Sequence, residues 1–175
     1  MNRLQQALVW LKRVGHSRGF GIQSPTDFRF VCNVVNEHWP YYAYAAFPQG
    51  DHWQRRKLGR LYFRLANHFQ PAVVLDLVGV GEYVQAGCRK AVLTTNATTT
   101  PDLVIIPSTL HPSPFTLLSL CTEKTVLVVE DIGRHPDAWQ TILSDSRPTV
   151  TFDLYYCGIA LFNPQRSPQH YVVNF

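Results

Sequence analysis

Charge is what this chain has least of. Asp, Glu, Lys and Arg together make up 16% of its 175 residues, against a typical share of about 25%. A surface so poor in ions must rely on neutral polar groups or be hidden in contacts. It is not a sign of disorder, because 46% of the residues are apolar, enough to build a core. Cysteine is also scarce. Cys32, Cys88, Cys121 and Cys157 are far apart, contain no CxxC pair and sit in apolar neighbourhoods. That pattern predicts four reduced structural thiols rather than a disulfide framework or a zinc site. The seven histidines form no HxxxH or comparable ligand pair, so no metal is expected. Ser24, Ser108 and Ser113 lack a GxSxG elbow, which removes the sequence basis for a hydrolase. No apolar run approaches the roughly 20 residues that span a bilayer, and Lys12 and Arg13 interrupt the N-terminal candidate. The same start lacks a cleavable signal pattern. The expectation is a cytoplasmic protein with no membrane partner.

The charge that is present is unevenly placed. Residues 1–70 hold ten Lys/Arg and three Asp/Glu, whereas residues 71–175 hold six and nine. The division coincides with a change of pattern, and predicts a helical extension over 1–70 followed by an α/β domain over 71–175. In the first part, Leu4, Leu8, Leu11 and Val14 recur at helical spacing. Ser24-Pro25-Thr26-Asp27 reads as a helix start, and Phe28, Val31, Val34 and Val35 continue its apolar face. An aromatic loop with Trp39, Tyr41, Tyr42, Tyr44 and Phe47 follows, either as a ligand cover or, more in keeping with its composition, as packing. A long helix then runs from about Asp51 to Pro71, with Leu58, Leu61, Tyr62, Leu65 and Phe69 inward. Arg55, Arg56, Lys57, Arg60 and Arg64 form its basic face.

From Val73 the pattern becomes short apolar runs separated by helical segments. Val73–Val78, Ala91–Thr94, Leu103–Ile106 and Val126–Val129 have the length and β-branching of strands buried on both faces. Helices are expected around Pro114–Cys121 and over His135–Ser144, the latter burying Trp139, Ile142 and Leu143. The alternation predicts a mostly parallel sheet. Thr149–Phe162 and His170–Phe175 close the chain as two strand-like runs. Their linker is too short for a helical crossover, so they are expected to form an antiparallel hairpin.

In such a sheet a ligand site lies beyond the carboxyl ends of the strands. The first strand ends at Asp76 and leads into Gly79-Val80-Gly81, a GxG that fits either a cofactor loop or a plain tight turn. Asp76, Glu130 and Asp131 fit either cofactor ligands or strand-end and helix-start residues.

Several segments are similar to the class I S-adenosylmethionine-dependent methyltransferases, in a bacterial branch with a helical N-terminal extension. The branch's HGIHSPFVF-like signature corresponds to Gly19-Phe20-Gly21-Ile22-Gln23-Ser24-Pro25-Thr26-Asp27-Phe28. Its LLFRLVNYFKP stretch corresponds to Leu61–Pro71, its ILELGTSLG strand to Val73–Gly81, its DLVFIDG strand to Asp102–Ser108, and its DDI strand to Val128–Ile132. The C-terminal segments from Trp139 through Val150–Leu154 to His170–Phe175 are also family-like. The resemblance implies a Rossmann-like methyltransferase fold. It places S-adenosylmethionine against Asp76, Gly79, Gly81, Glu130 and Asp131, and the last strand antiparallel beside Val126–Val129.

The departures from the family pattern fall together. Val78 replaces the first motif glycine, Thr94-Thr95-Asn96 replaces the ribose-binding carboxylate, and Pro107 replaces an Asp. Seven residues, Thr95–Pro101, separate the second strand from Asp102. A βαβ crossover needs about 30 residues, so the third strand and both flanking crossovers should be missing. The expected protein is therefore a shortened methyltransferase-like domain with a degraded cofactor site, non-catalytic and acting by binding or association. Its rivals are an active methyltransferase of unknown acceptor and a nucleic-acid-binding module using Arg56, Arg60 and Arg64. The edge uncovered by the lost strand predicts a homodimer.

Overall fold

The computed structural model describes residues 3–16, 19–96, 99–110 and 117–175. It shows an α/β protein with a seven-stranded, mostly parallel sheet. The elements in chain order are α1 (Arg3–Arg13), α2 (Pro25–Phe30), α3 (Trp53–Phe69), β1 (Val73–Asp76), α4 (Gly81–Gly87), β2 (Val92–Thr94), β3 (Leu103–Pro107), β4 (Val126–Glu130), α5 (Pro136–Ser144), β5 (Val150–Asp153), β6 (Cys157–Leu161) and β7 (Gln169–Val172). The sheet order is β2-β1-β3-β4-β6-β5-β7, with β6 antiparallel to both of its neighbours. Of the helix expected around Pro114–Cys121, residues 114–116 lie outside the described residues, while Leu117 and Leu118 are helical and Ser119 and Leu120 form a turn.

Alternation along the strands divides the core. Val74, Leu103, Ile105, Val126, Val128, Phe152 and Ile159 face the layer of α2, α3 and α4. Leu75, Val104, Ile106, Leu127, Val129 and Ala160 face the opposite side, where Trp139 and Ile142 of α5 are buried. The strands read as continuous apolar runs because both faces are covered. Two glycines bring α4 against α3: a Cβ at Gly59 would lie 2.4 Å from Tyr83, and one at Gly87 only 2.2 Å from the Phe63 carbonyl.

Local signals place α2 and the segment after it. Ser24 caps α2 by accepting a hydrogen bond from Asp27 N (3.4 Å), with Pro25 in the first turn. A wider π-helical turn, Val31–Val35, continues it. The carbonyls left free at that end are taken by Arg64, whose Nε donates to Val34 O (2.6 Å) and Nη2 to Val35 O (2.8 Å). Asp27 is buried, forms an ion pair with Arg166, and accepts a hydrogen bond from Tyr171 (3.2 Å). The N-terminal segment is thus clamped to the last strand.

The C-terminal arrangement corrects the expected hairpin. The run Thr149–Phe162 is not one strand but two, β5 and β6. Its break falls at Leu154–Tyr156, where Asp153 accepts from Tyr155 N (2.8 Å) and Tyr155 adopts a left-handed φ of 69°. It is therefore β6, not the final strand, that inserts antiparallel beside β4. The last strand, expected there as His170–Phe175, instead lies at the sheet edge, parallel to β5. It runs opposite to β6 but does not pair with it. The linker needs no helix, since it only steps over β5, about 10 Å for two strand spacings.

The apolar face expected on α1 is not buried: Leu8, Leu11 and Val14 are exposed, while Arg13 pairs with Asp153 at 2.9 Å. In the aromatic loop, Tyr41, Tyr44 and Phe47 pack around Phe63, whereas Trp39 and Tyr42 are exposed. All four cysteines are free thiols. Among the described residues, no helix is long and apolar enough to cross a membrane.

Candidate functional site

The carboxyl ends of β1 and β4 meet under the first half of α3. At the end of β1, Asp76 is buried and turned back on its own loop. Its Oδ1 accepts from Val78 N (3.0 Å) and Gly79 N (2.8 Å), and its Oδ2 from Val80 N (2.7 Å). Three backbone donors saturate much of the carboxylate's capacity and hold the turn into α4.

The two glycines are required for different reasons. Gly79 has φ 75°, a conformation that disfavours any side chain, with no atom within 4 Å of a would-be Cβ. At Gly81 the limit is space, since a Cβ would lie 2.4 Å from Leu93 Cδ1 on β2. Gly81 therefore serves close helix–strand packing, one of the roles a glycine has in such turns. Val78 packs against the core of the α3 layer.

Helix α3 supplies the roof. Arg55 Nη2 donates to Gly79 O at 2.5 Å, closing over the turn, and its Nη1 lies 3.9 Å from Glu130 Oε1. Tyr62, one face-repeat further along, donates a hydrogen bond to Glu130. Gln54 Nε2 donates to Asp131 Oδ1 at 3.0 Å. Asp131 itself has a left-handed φ of 58°, and its N–H donates to Tyr156 O (2.7 Å). Burial pushes the Glu130 carboxyl up from its ordinary value, against the pull of the Tyr62 hydrogen bond and of Arg55. Asp131 and Asp76 add to the rise by like-charge repulsion. The Tyr62 phenol is pushed well up, by burial first and by Glu130 second.

Asp76, Gly79, Gly81, Glu130 and Asp131 thus share one end of the sheet, and each carboxylate has a partner within the chain. The other positions at this end are equally self-contained. Thr94 Oγ1 donates to Asn96 O (2.9 Å) and accepts from Asn96 N (3.1 Å). Pro107 sits in register with Glu130, and Ser108 N donates to the Glu130 carbonyl (3.1 Å). The Ser108 hydroxyl is buried without a hydrogen-bond partner among the described residues. Among the described residues, the positions that the resemblance assigns to the ribose hydroxyls, Thr94–Asn96, carry no carboxylate, so they do not fit S-adenosylmethionine well. Among the described residues, no group of three or more His, Cys, Asp or Glu is placed to hold a metal ion.

Sequence reasoning missed the part played by Gln54 and Tyr62. The seven-residue interval from Arg55 to Tyr62 was the available signal, since it puts both on one face of α3. The basic stripe is also corrected. Arg56 and Arg60 are exposed, but Arg64 is only 6% exposed and holds the carbonyls after α2. Compared with known proteins, the chain matches no family model, no curated protein and no solved structure.

Proposed function

We propose that this is a methyltransferase-like α/β protein whose cofactor site has closed on itself, and that it acts by binding or association rather than by methyl transfer. The observation that carries the reading is the internal pairing of the strand-end carboxylates. Asp76 is held by its own loop, Glu130 by Tyr62 and Arg55, and Asp131 by Gln54. Binding S-adenosylmethionine there would break several of these bonds. Each broken one leaves a partly buried polar group unpaired, which costs about 1–3 kcal/mol.

The sheet order supports the likeness of fold. A parallel set with the second strand at one edge, and an antiparallel strand inserted beside β4, is what a class I methyltransferase sheet would leave without its third strand, β7 being an added edge strand. The eight-residue passage from Thr95 to Asp102 is consistent with that loss. The uncovered strand β2 is the natural place for self-association.

Calorimetric titration with S-adenosylmethionine and with S-adenosylhomocysteine tests the reading. No saturable heat is expected from either. Saturable micromolar binding would overturn it and restore the active-methyltransferase alternative.

A further inference from the structure

On the flank of α3 away from Glu130, a second concavity of about 480 Å3 is lined by Arg56, Lys57, Arg60 and Arg64, with Trp53 and Phe175 among its walls. Its volume lies in the range of small-ligand pockets, about 300–1,000 Å3. Positions 56, 57, 60 and 64 follow helical spacing, so one face of α3 projects all four cations toward one space. Among the described residues none of the four is in an ion pair, and on this helix it is Arg55 that faces a carboxylate, Glu130. Glu37, the carboxylate on the pocket wall, accepts a hydrogen bond from Trp39 N at 3.1 Å.

The pocket is built rather than merely charged. Arg64 is held by Val34 O, Val35 O and the Tyr44 hydroxyl (3.2 Å). Arg60 lies over the Tyr44 ring, 5.0 Å from its centroid, and Lys57 over the Phe175 ring at 4.5 Å. Rings beneath the cations limit their rotation while leaving donors free. Burial, followed in part by repulsion from Arg64, pulls the Lys57 ammonium below its ordinary value. An anion in the pocket would offset that repulsion and favour the charged ammonium.

We propose that this pocket binds a small phosphate-bearing molecule. Guanidinium groups match phosphate oxygens bidentately, and a lysine adds a compact charge beside them. A compact ligand fits better than a polynucleotide, because Arg64 is buried at the pocket wall rather than continuing an exposed track along α3. The proposal is independent of the lost-cofactor reading, since it uses the opposite flank of the helix and a different ligand.

The test is calorimetric titration of the full chain with pyrophosphate and with inorganic phosphate, the ionic strength balanced with chloride. Saturable binding is expected, tighter for pyrophosphate. The double variant Arg56→Gln/Arg60→Gln, whose exposed side chains leave the fold intact by circular dichroism, should weaken it at least about tenfold, or 1.4 kcal/mol. Arg89→Gln, on the turn between α4 and β2, should leave it unchanged. Absence of saturation at millimolar pyrophosphate would overturn the proposal, as would equal binding by the double variant. Displacement of pyrophosphate by single-stranded oligonucleotides, with affinity rising with their length, would also overturn it and assign the face to nucleic acid.

Discussion

Glu130 shows how one side chain can be both partly buried and held. Its carboxyl lies above the ordinary range because burial outweighs the Tyr62 hydrogen bond and Arg55. The folded chain therefore keeps a proton that the unfolded chain has already released. This group's contribution to stability is fully present below its unfolded value, about pH 4. It is lost as pH rises through the raised folded value. Glu130→Gln keeps an acceptor for Tyr62 without the titration. Denaturation midpoints measured from about pH 4 to pH 7 should therefore fall less steeply with pH in the variant than in the parent. Parallel profiles would show that Glu130 titrates normally. Arg64 teaches a related lesson about reading residues. Arg56, Arg60 and Arg64 are equivalent by spacing, but each four-residue step rotates a side chain about 40° around the helix. Two steps carry Arg64 off the exposed face and into the carbonyls after α2, which no sequence pattern announces.

Elements were legible where hydrophobic runs and breakers agreed. β1, β2, β3 and β4 lie within their predicted runs or within a residue of them, and α3 and α5 begin and end within two. The short span after β2 was enough to expect a sheet edge there. The C-terminal strands were not legible, for a physical reason. Leu154, Tyr155 and Tyr156 have the same β-forming character as the residues around them, so the turn between β5 and β6 rests on the Asp153 side chain and a strained Tyr155 backbone. The partner of β7 depends on Asp27, far away in sequence, which Tyr171 and the neighbouring Arg166 both reach. The close pairing of α3 and α4 is likewise tertiary. It can be tested at Gly87, where an added Cβ meets the Phe63 carbonyl and the Asn67 N (3.0 Å), neither of which can retreat without moving a helix. Gly87→Ala should lower stability by about 1–3 kcal/mol in urea unfolding. Gly50→Ala, where a Cβ meets nothing within 4 Å, should stay within about 0.5 kcal/mol. Equal effects would mean that the α3–α4 contact is looser than described.

At the scale of the whole molecule the low charge acquires a location. The strand ends carry carboxylates that are already paired, Arg56, Lys57 and Arg60 meet at one pocket without an ion pair among the described residues, and β2 offers an edge whose own three residues carry no charge. Only β1 pairs with β2 among the described residues, and Val92 at its start is 63% exposed. The other edge differs, because β7 is tied to Asp27 through Tyr171 and the neighbouring Arg166. An open edge recruits another strand, and two copies related by a two-fold axis would pair β2 with β2 antiparallel. With three residues in β2, such a dimer gains few hydrogen bonds, so it should form only as concentration rises. Light scattering should show the mass increasing from one chain toward two over the micromolar range. Val92→Lys should hold the protein at one chain, because a charge on the edge would have to be desolvated on pairing. A parent protein that stays at a single-chain mass throughout would remove self-association and leave the basic pocket as the seat of binding.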